Sequence, residues 1–195
     1  MMIHTKVYEP MPFNKREIMR YAGVAGDGED IAPLLNECIT EAKDKFAYRV
    51  CWTEFAVSVS DTCIDLGFIK TNSKDLRKNL YDCKSVILFG ATVGMEIDRL
   101  IARYSVVSPA KALLFQAIGA ERIESLCNCF NNDIKIAMET VSRFSAGYGD
   151  FPIEAQREIF AALDCQRKIG LTLNESLLMS PSKSVTAIIG VRNEH

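Results

Sequence analysis

Histidine is almost missing from this chain of 195 residues: His4 and His195, one near each end, are the two copies. Terminal segments are usually poorly ordered, so a Ser-His-Asp triad, a Cys-His dyad or a histidine-based zinc site would have to be built on one of them. A basic surplus is missing too. Lys and Arg number 23 against 25 Asp and Glu, a formal net charge of −2. No excess of cations exists to neutralise a phosphate backbone, and nucleic-acid binding is not expected. Long apolar runs are lacking: stretches such as Val86 to Val93 fall far short of the roughly 20 residues that span a membrane. Met1 to Pro10 holds no apolar core of the length a secretory leader needs, so a cytoplasmic protein without membrane association is the expectation. Glycine and proline are modest, at 11 and 6, while 48% of residues are hydrophobic and 25% charged. That balance excludes disordered, collagen-like and low-complexity classes. The length supports one domain with a real core and no need of disulfide or metal staples.

Seven cysteines (38, 51, 63, 83, 127, 129 and 165) make an odd count with irregular spacing. In a reducing compartment they read as small buried residues. Cys127-x-Cys129 is a close pair, but positions i and i+2 of a helix do not face each other, so packing is favoured over a metal or redox role.

Asn14 to Ala22 reads as a short helix, broken by Gly23-Val24-Ala25-Gly26-Asp27-Gly28. A longer helix follows over about Glu29 to Phe46, with Pro33 harmless in its first turn and Leu34, Cys38 and Ala42 on one face. Tyr48 to Ser58 has the pattern of a strand with one break in alternation, and Cys63 to Ile69 that of another; Asn72 or Ser73 caps a helix to about Tyr81. Ser85 to Ala91 is nearly continuous in apolar residues, the mark of a central strand buried on both faces. After a turn at Thr92-Val93-Gly94 comes a helix with Ile97, Leu100, Ile101 and Tyr104 on one side. Ser108-Pro109 opens another, expected to reach about Phe130, with a break or restart at Asn131-Asn132-Asp133 and more helix to about Val141. A helix over about Ile153 to Leu163 and a terminal hairpin, Leu171 to Met179 against Ser184 to Val191, complete the chain. No repeat or linker interrupts it. The expected fold class is α/β (α+β): a single domain over 1–195, a twisted, mostly antiparallel sheet with packed helices.

Four stretches could carry chemistry. Phe89-Gly90-Ala91-Thr92-Val93-Gly94 runs from strand to helix, as dinucleotide sites do, but it has neither Gly-x-Gly-x-x-Gly nor a P-loop lysine and reads as a tight turn. Arg143-Phe-Ser-Ala-Gly147-Tyr148-Gly149-Asp150-Phe151-Pro152 sets a cation four residues before a Gly-Tyr-Gly turn. A guanidinium can hold a carboxylate bidentately, glycine lets backbone groups approach a ligand, and tyrosine offers a flat apolar face with one hydroxyl. The combination suits a zwitterionic ligand; it also suits a capped loop whose arginine pairs with a surface carboxylate. Glu124 shares a helix side with Ala117, Ala120 and Cys127, where a carboxylate either reaches solvent or meets a cation. Asn174-Glu175-Ser176 and Ser180-Pro181-Ser182-Lys183-Ser184 are polar residues whose presence turn chemistry explains.

Arg143-x-x-x-Gly147-Tyr148, followed after one helix by Ile169-Gly170-Leu-Thr-Leu-Asn-Glu-Ser176-Leu-Leu-Met179-x-Pro181-x-x-Ser184-Val185-Thr186, resembles the C-terminal activation domain of cobalamin-dependent methionine synthase, in a short stand-alone form. Ala117-Ile-Gly-Ala-Glu-Arg-Ile-Glu124 is similar to that family's helix with a ligand-binding glutamate. The motifs span about 85–191, and residues 1–70 are less similar. The resemblance implies an S-adenosylmethionine-binding reactivation subunit, an accessory rather than a self-contained enzyme, with no catalytic or metal-ligating side chain of its own. It implies that Arg143 holds the ligand carboxylate, that the Gly147–Tyr148–Gly149 backbone lines the adenosyl pocket and that Glu124 contacts the polar part of the ligand. The implied partner is a separate cobalamin-dependent methionine synthase, which holds the cobalamin and whose cob(II)alamin is reductively methylated with electrons from a flavodoxin-like donor. Methyl transfer from a sulfonium to cob(I)alamin needs positioning and desolvation rather than a general base, which a chain poor in histidine can supply. The alternatives are service to another corrinoid methyltransferase, a non-enzymatic scaffold that has lost the ligand, and a classical methyltransferase built on Phe89 to Ile97.

Overall fold

The computed structural model describes residues 2–24 and 28–194. In chain order the elements are β1 (His4–Val7), α1 (Lys15–Tyr21), α2 (Ala32–Ala42), β2 (Arg49–Ala56), β3 (Ser58–Val59), β4 (Ile64–Asp65), β5 (Lys70–Thr71), α3 (Lys74–Asn79), β6 (Ser85–Thr92), α4 (Glu96–Val107), α5 (Pro109–Ala137), β7 (Met138–Thr140), a 3-10 turn (Ile153–Ala155), α6 (Gln156–Leu163), α7 (Cys165–Ile169), β8 (Thr172–Leu173), β9 (Met179–Ser180) and β10 (Ser184–Glu194). Five strands form the main sheet in the order β1-β2-β6-β10-β7, antiparallel at every pairing. The register sets Phe89 between Trp52 and Ala187, and Leu88 between Thr53 and Ile188.

Side chains alternate across a sheet. Ile87, Phe89 and Ala91 therefore join Val50, Ala187 and Ile189 beneath α5, whose Leu114, Ile118, Leu126 and Phe130 close that core. Val86 and Leu88 join Cys51 and Ile188 on the other face, against Leu76 of α3, Ile159 and Leu163 of α6 and Ile169 of α7. The unbroken apolar run of β6 follows from burial on both faces. Two small ribbons, β3-β4-β5 and β8-β9, flank the sheet. The molecule is thus a mixed α/β domain with an antiparallel sheet and packed helices, the expected class. Among the described residues no helix is long and apolar enough to cross a membrane.

Several elements depart from expectation, each for a tertiary reason. Helix α5 does not break at Asn131-Asn132-Asp133 but continues to Ala137. Asn and Asp each cost a helix at most about 0.7 kcal/mol relative to alanine. Here Phe130 and Ile134 pack on the core, and Asp133 accepts hydrogen bonds from Lys6 Nζ at 2.7 Å and Tyr8 Oη at 2.5 Å. The residues beyond are strand rather than helix, because β7 pairs with β10. The N-terminal segment, expected to be loose, is the edge strand β1, and His4 stacks on Trp52 with ring centroids 5.3 Å apart. His195 lies outside the described residues, as do Ala25, Gly26 and Asp27 of the expected helix break. Cys63 to Ile69 is not one strand: Asp65 Oδ1 accepts the Gly67 N–H at 2.9 Å and turns the chain between β4 and β5. Helix α2 is shorter than expected and buries Leu35 fully, Leu34 only partly. The terminal hairpin is replaced: β10 pairs with β6 and β7, and β8 pairs with β9. With Ala187 and Ile189 on one face and Ile188 on the other, β10 belongs inside the sheet. No periodicity signals the five-residue α7.

An interior cation ties the N-terminal segment to α5. Arg122 is fully buried. It donates to Glu121 through Nε at 2.6 Å and Nη2 at 2.5 Å, to Met11 O at 2.6 Å and to Pro12 O at 2.7 Å. Its guanidinium also lies 4.2 Å from the Phe13 ring centre. A buried charge is tolerated when it is paired and its donors are hydrogen-bonded.

Candidate functional site

The chain stays extended beside β10 after β7 ends. Val141 N–H donates to Gly190 O at 2.9 Å, and Phe144 and Ile188 exchange N–H···O bonds of 2.9 and 2.8 Å. Consecutive side chains on extended backbone point to opposite faces. Phe144 accordingly enters the core on the α6 side, near Phe151, and Arg143 turns toward α5. There its Nη2 donates to Glu124 Oε2 at 2.9 Å. The two side chains keep 23% and 41% exposure, so the bridge is solvent-screened and worth no more than about 1 kcal/mol. The other terminal nitrogen, Nη1, is buried without a hydrogen-bond partner. Cys127, one turn beyond Glu124, is buried beside the guanidinium. Burial pushes its thiol up to about 12, although Arg143 opposes the shift. At neutral pH that neighbour is a neutral thiol, a weak acceptor at best.

Gly147 and Gly149 have φ of +86° and +54°, values that glycine adopts without a steric penalty. Three backbone bonds close the turn: Tyr148 N–H to Ser145 O at 3.1 Å, Phe151 N–H to Tyr148 O at 3.0 Å and Gly147 N–H to Phe151 O at 2.8 Å. The Tyr148 side chain stands out from it, 72% exposed, with Phe144 edge-on at 6.0 Å.

Glu124, Arg143 and Tyr148 line one cavity of about 310 Å³ together with Ser145 and Val185. Three of the five residues singled out in the sequence therefore meet in space. Gly147 and Gly149 are not among the cavity walls. A Cβ on Gly147 would stand 3.0 Å from Ile153 Cδ1, and one on Gly149 would overlap Asp75 Oδ2; these glycines shape the turn that presents Tyr148. Sequence reasoning misses Ser145 and Val185, although two-residue alternation from Arg143 points to the first. Beyond Glu124 lies a second cavity of about 280 Å³, lined also by Asn14, Glu17, Tyr21, Glu121 and Ser125, so this carboxylate has room on both sides. A cleft of about 360 Å³ among α6, α7 and β8 brings none of these five residues together.

The other stretches take structural parts. The turn after β6 holds Gly94 at φ +87°. The first turn of α4 carries its own Glu96 and Asp98, and Asp98 accepts from Ser182 N–H at 2.8 Å and Ser182 Oγ at 2.5 Å. Asn174 Oδ1 accepts the Leu178 N–H at 2.9 Å, and Ser184 Oγ donates to Thr92 Oγ1 at 2.8 Å. Cys129 Sγ lies 3.1 Å from Met11 Sδ. Among the described residues no three His, Cys, Asp or Glu side chains gather to hold a metal ion.

A guanidinium, a carboxylate, two hydroxyls and an aromatic ring around one cavity make a small site suited to a zwitterion with an apolar or ring-bearing tail. No family model matches the sequence, and no curated protein sequence matches it. Among solved structures, the chain is similar to a crystal structure of the MetH reactivation domain bound to AdoHcy. The TM-score is 0.68 at 14% sequence identity, and the match covers 98% of this chain and 78% of the other. With identity that low and overlap that complete, the likeness is one of backbone architecture, and the chain shares its fold with the MetH reactivation domain.

Proposed function

We propose that the Arg143 cavity binds S-adenosylmethionine and that the chain is a reactivation subunit for a separate cobalamin-dependent methyltransferase, methionine synthase in the first place. Arg143 carries the proposal: its guanidinium is held by Glu124, and its side chain lines an open cavity together with Glu124 and Tyr148. A ligand carboxylate that enters the cavity meets the fixed guanidinium charge, a charge-assisted pairing that arginine favours. Glu124, with space on both sides, then turns to the ligand's ammonium. The cavity is at the small end of the roughly 300–1,000 Å³ typical of ligand sites, so it takes the amino-acid end, and the nucleoside lies against the exposed ring of Tyr148. The shared fold with a domain crystallised with AdoHcy supports this choice of ligand.

The bound sulfonium supplies an electrophilic methyl group. The residues of this chain orient it and keep water from one side, work that requires no general base. The client protein, in the cytoplasm, holds the cobalamin, and a flavodoxin-like protein is the electron source. Isothermal titration of the full chain with S-adenosylmethionine is the test. Arg143→Ala removes a charged hydrogen bond worth about 1.5–3 kcal/mol, a roughly 10- to 150-fold loss of affinity. Arg143→Lys keeps the charge without the fork and recovers part of it. Equal affinity in Arg143→Ala and wild type would refute the carboxylate clamp. Absence of binding by the wild type, alone and with a cob(II)alamin-loaded methionine synthase, would refute the function.

A further inference from the structure

Asp150 immediately follows the Gly147–Tyr148–Gly149 turn, yet it does not line the ligand cavity. It reaches instead into the N-terminus of α3. Its Oδ1 accepts from Ser73 Oγ and from the Asp75 N–H at 3.1 Å, and its Oδ2 accepts from the Lys74 N–H at 2.7 Å. Ser73, 1% exposed, is itself the N-cap and accepts the Leu76 N–H at 3.1 Å. The first N–H groups of a helix have no partner within it and need outside acceptors. Here a residue of the binding loop provides two of them. Gly149 is fitted to the same contact, since its missing Cβ is where Asp75 Oδ2 lies. Phe151, 1% exposed, then enters the core. The loop is thus pinned at the Phe144–Ile188 bridge before the turn and at Asp150 and Phe151 after it, and Tyr148 stands exposed between the pins.

We infer that Asp150 is a positioning residue of the ligand site: by capping α3 it holds the turn that sets Tyr148 over the Arg143 cavity, an inference that rests on the S-adenosylmethionine site proposed above. The cap bonds, with Ser73 Oγ foremost, also hold the Asp150 carboxyl down at about 2. The latch is therefore fully formed above the ordinary aspartate range and is lost only as pH falls toward that low value.

Two readouts on the full chain test this. Amide hydrogen exchange over 143–152 needs no ligand, and titration with S-adenosylmethionine reads the site. In Asp150→Ala the amides of Gly147, Tyr148 and Phe151 exchange about tenfold faster while those of α5 are unchanged. Affinity falls roughly five- to tenfold, as for loss of a cap residue. Asp150→Asn, which keeps an acceptor oxygen for α3, recovers most of both. Because Asp150 acts through Tyr148, the losses of Asp150→Ala and Tyr148→Ala do not add in the double variant. Unchanged loop exchange in Asp150→Ala overturns the inference, as does fast exchange with wild-type affinity, or full additivity with Tyr148→Ala. A wild-type chain that binds no S-adenosylmethionine overturns the ligand site instead, and the exchange data then decide whether Asp150 fixes the turn.

Discussion

Replacing Arg122 by methionine keeps most of the volume and apolar stem of the side chain and removes the charge. Glu121, 3% exposed, is left with Ser125 Oγ at 2.7 Å and a long contact from the Asn14 N–H at 3.4 Å. The carbonyls of Met11 and Pro12 lose their charged donors. Removing one partner of a buried ion pair costs about 3–5 kcal/mol, because the other is stranded. That is a large part of the roughly 5–15 kcal/mol that holds a typical domain together, and at about 2–4 °C per kcal/mol for this chain length the midpoint falls by roughly 6–20 °C. Urea unfolding followed by far-UV circular dichroism measures it, with the m-value expected to be unchanged. Adding Glu121→Leu removes the stranded charge, and the double variant regains most of the loss. A single variant that loses less than about 1 kcal/mol, or a double variant as unstable as the single one, would refute the view that Arg122 and Glu121 form one interior unit.

Two further outcomes follow from contacts elsewhere. A Cβ on Gly190 would stand 2.6 Å from Cys83 Sγ, 2.7 Å from Leu80 Cδ2 and 2.9 Å from Val141 Cγ2. Gly190→Ala therefore overpacks the junction of β10 with its neighbours, costing about 1–3 kcal/mol. A thermal midpoint equal to or above that of the wild type would contradict this. The Lys6 hydrogen bond, then that of Tyr8, holds the Asp133 carboxyl below the usual carboxylate range. The pair's side chains are 48% and 40% exposed, so after screening Asp133→Asn costs no more than about 1 kcal/mol at pH 7. A lowered folded-state pKa contributes stability above the unfolded value of about 3.9 and loses it as pH falls through the folded value. The two proteins should therefore converge in stability as pH falls through that lowered value, and a gap that persists in acid would show that the charge is not the cause.

The sequence by itself determined the elements whose pattern one residue's neighbours suffice to explain. The nearly continuous apolar run from Ser85 to Ala91 had to be buried on both faces, and β6 is the sheet's centre. Pro109 and the periodic residues after it had to open a helix. Arg143 and Tyr148 were legible as one motif, a cation four residues before a glycine-flanked aromatic, whereas Glu124 was joined to them only by the family resemblance; the cavity brings all three together. What only the tertiary structure decided is which partner each residue meets. Glu121 and Glu124 are three positions apart on one helix, yet one is interior and bound to Arg122 while the other faces Arg143. Asp150 reads as an ordinary turn residue until α3, far earlier in the chain, places its open N–H groups beside it. Local preferences for helix, strand or turn amount to tenths of a kcal/mol per residue. Long-range burial and hydrogen bonding amount to several, so α5 crosses Asn131-Asn132-Asp133 unbroken and β10 leaves its neighbour in sequence for β6.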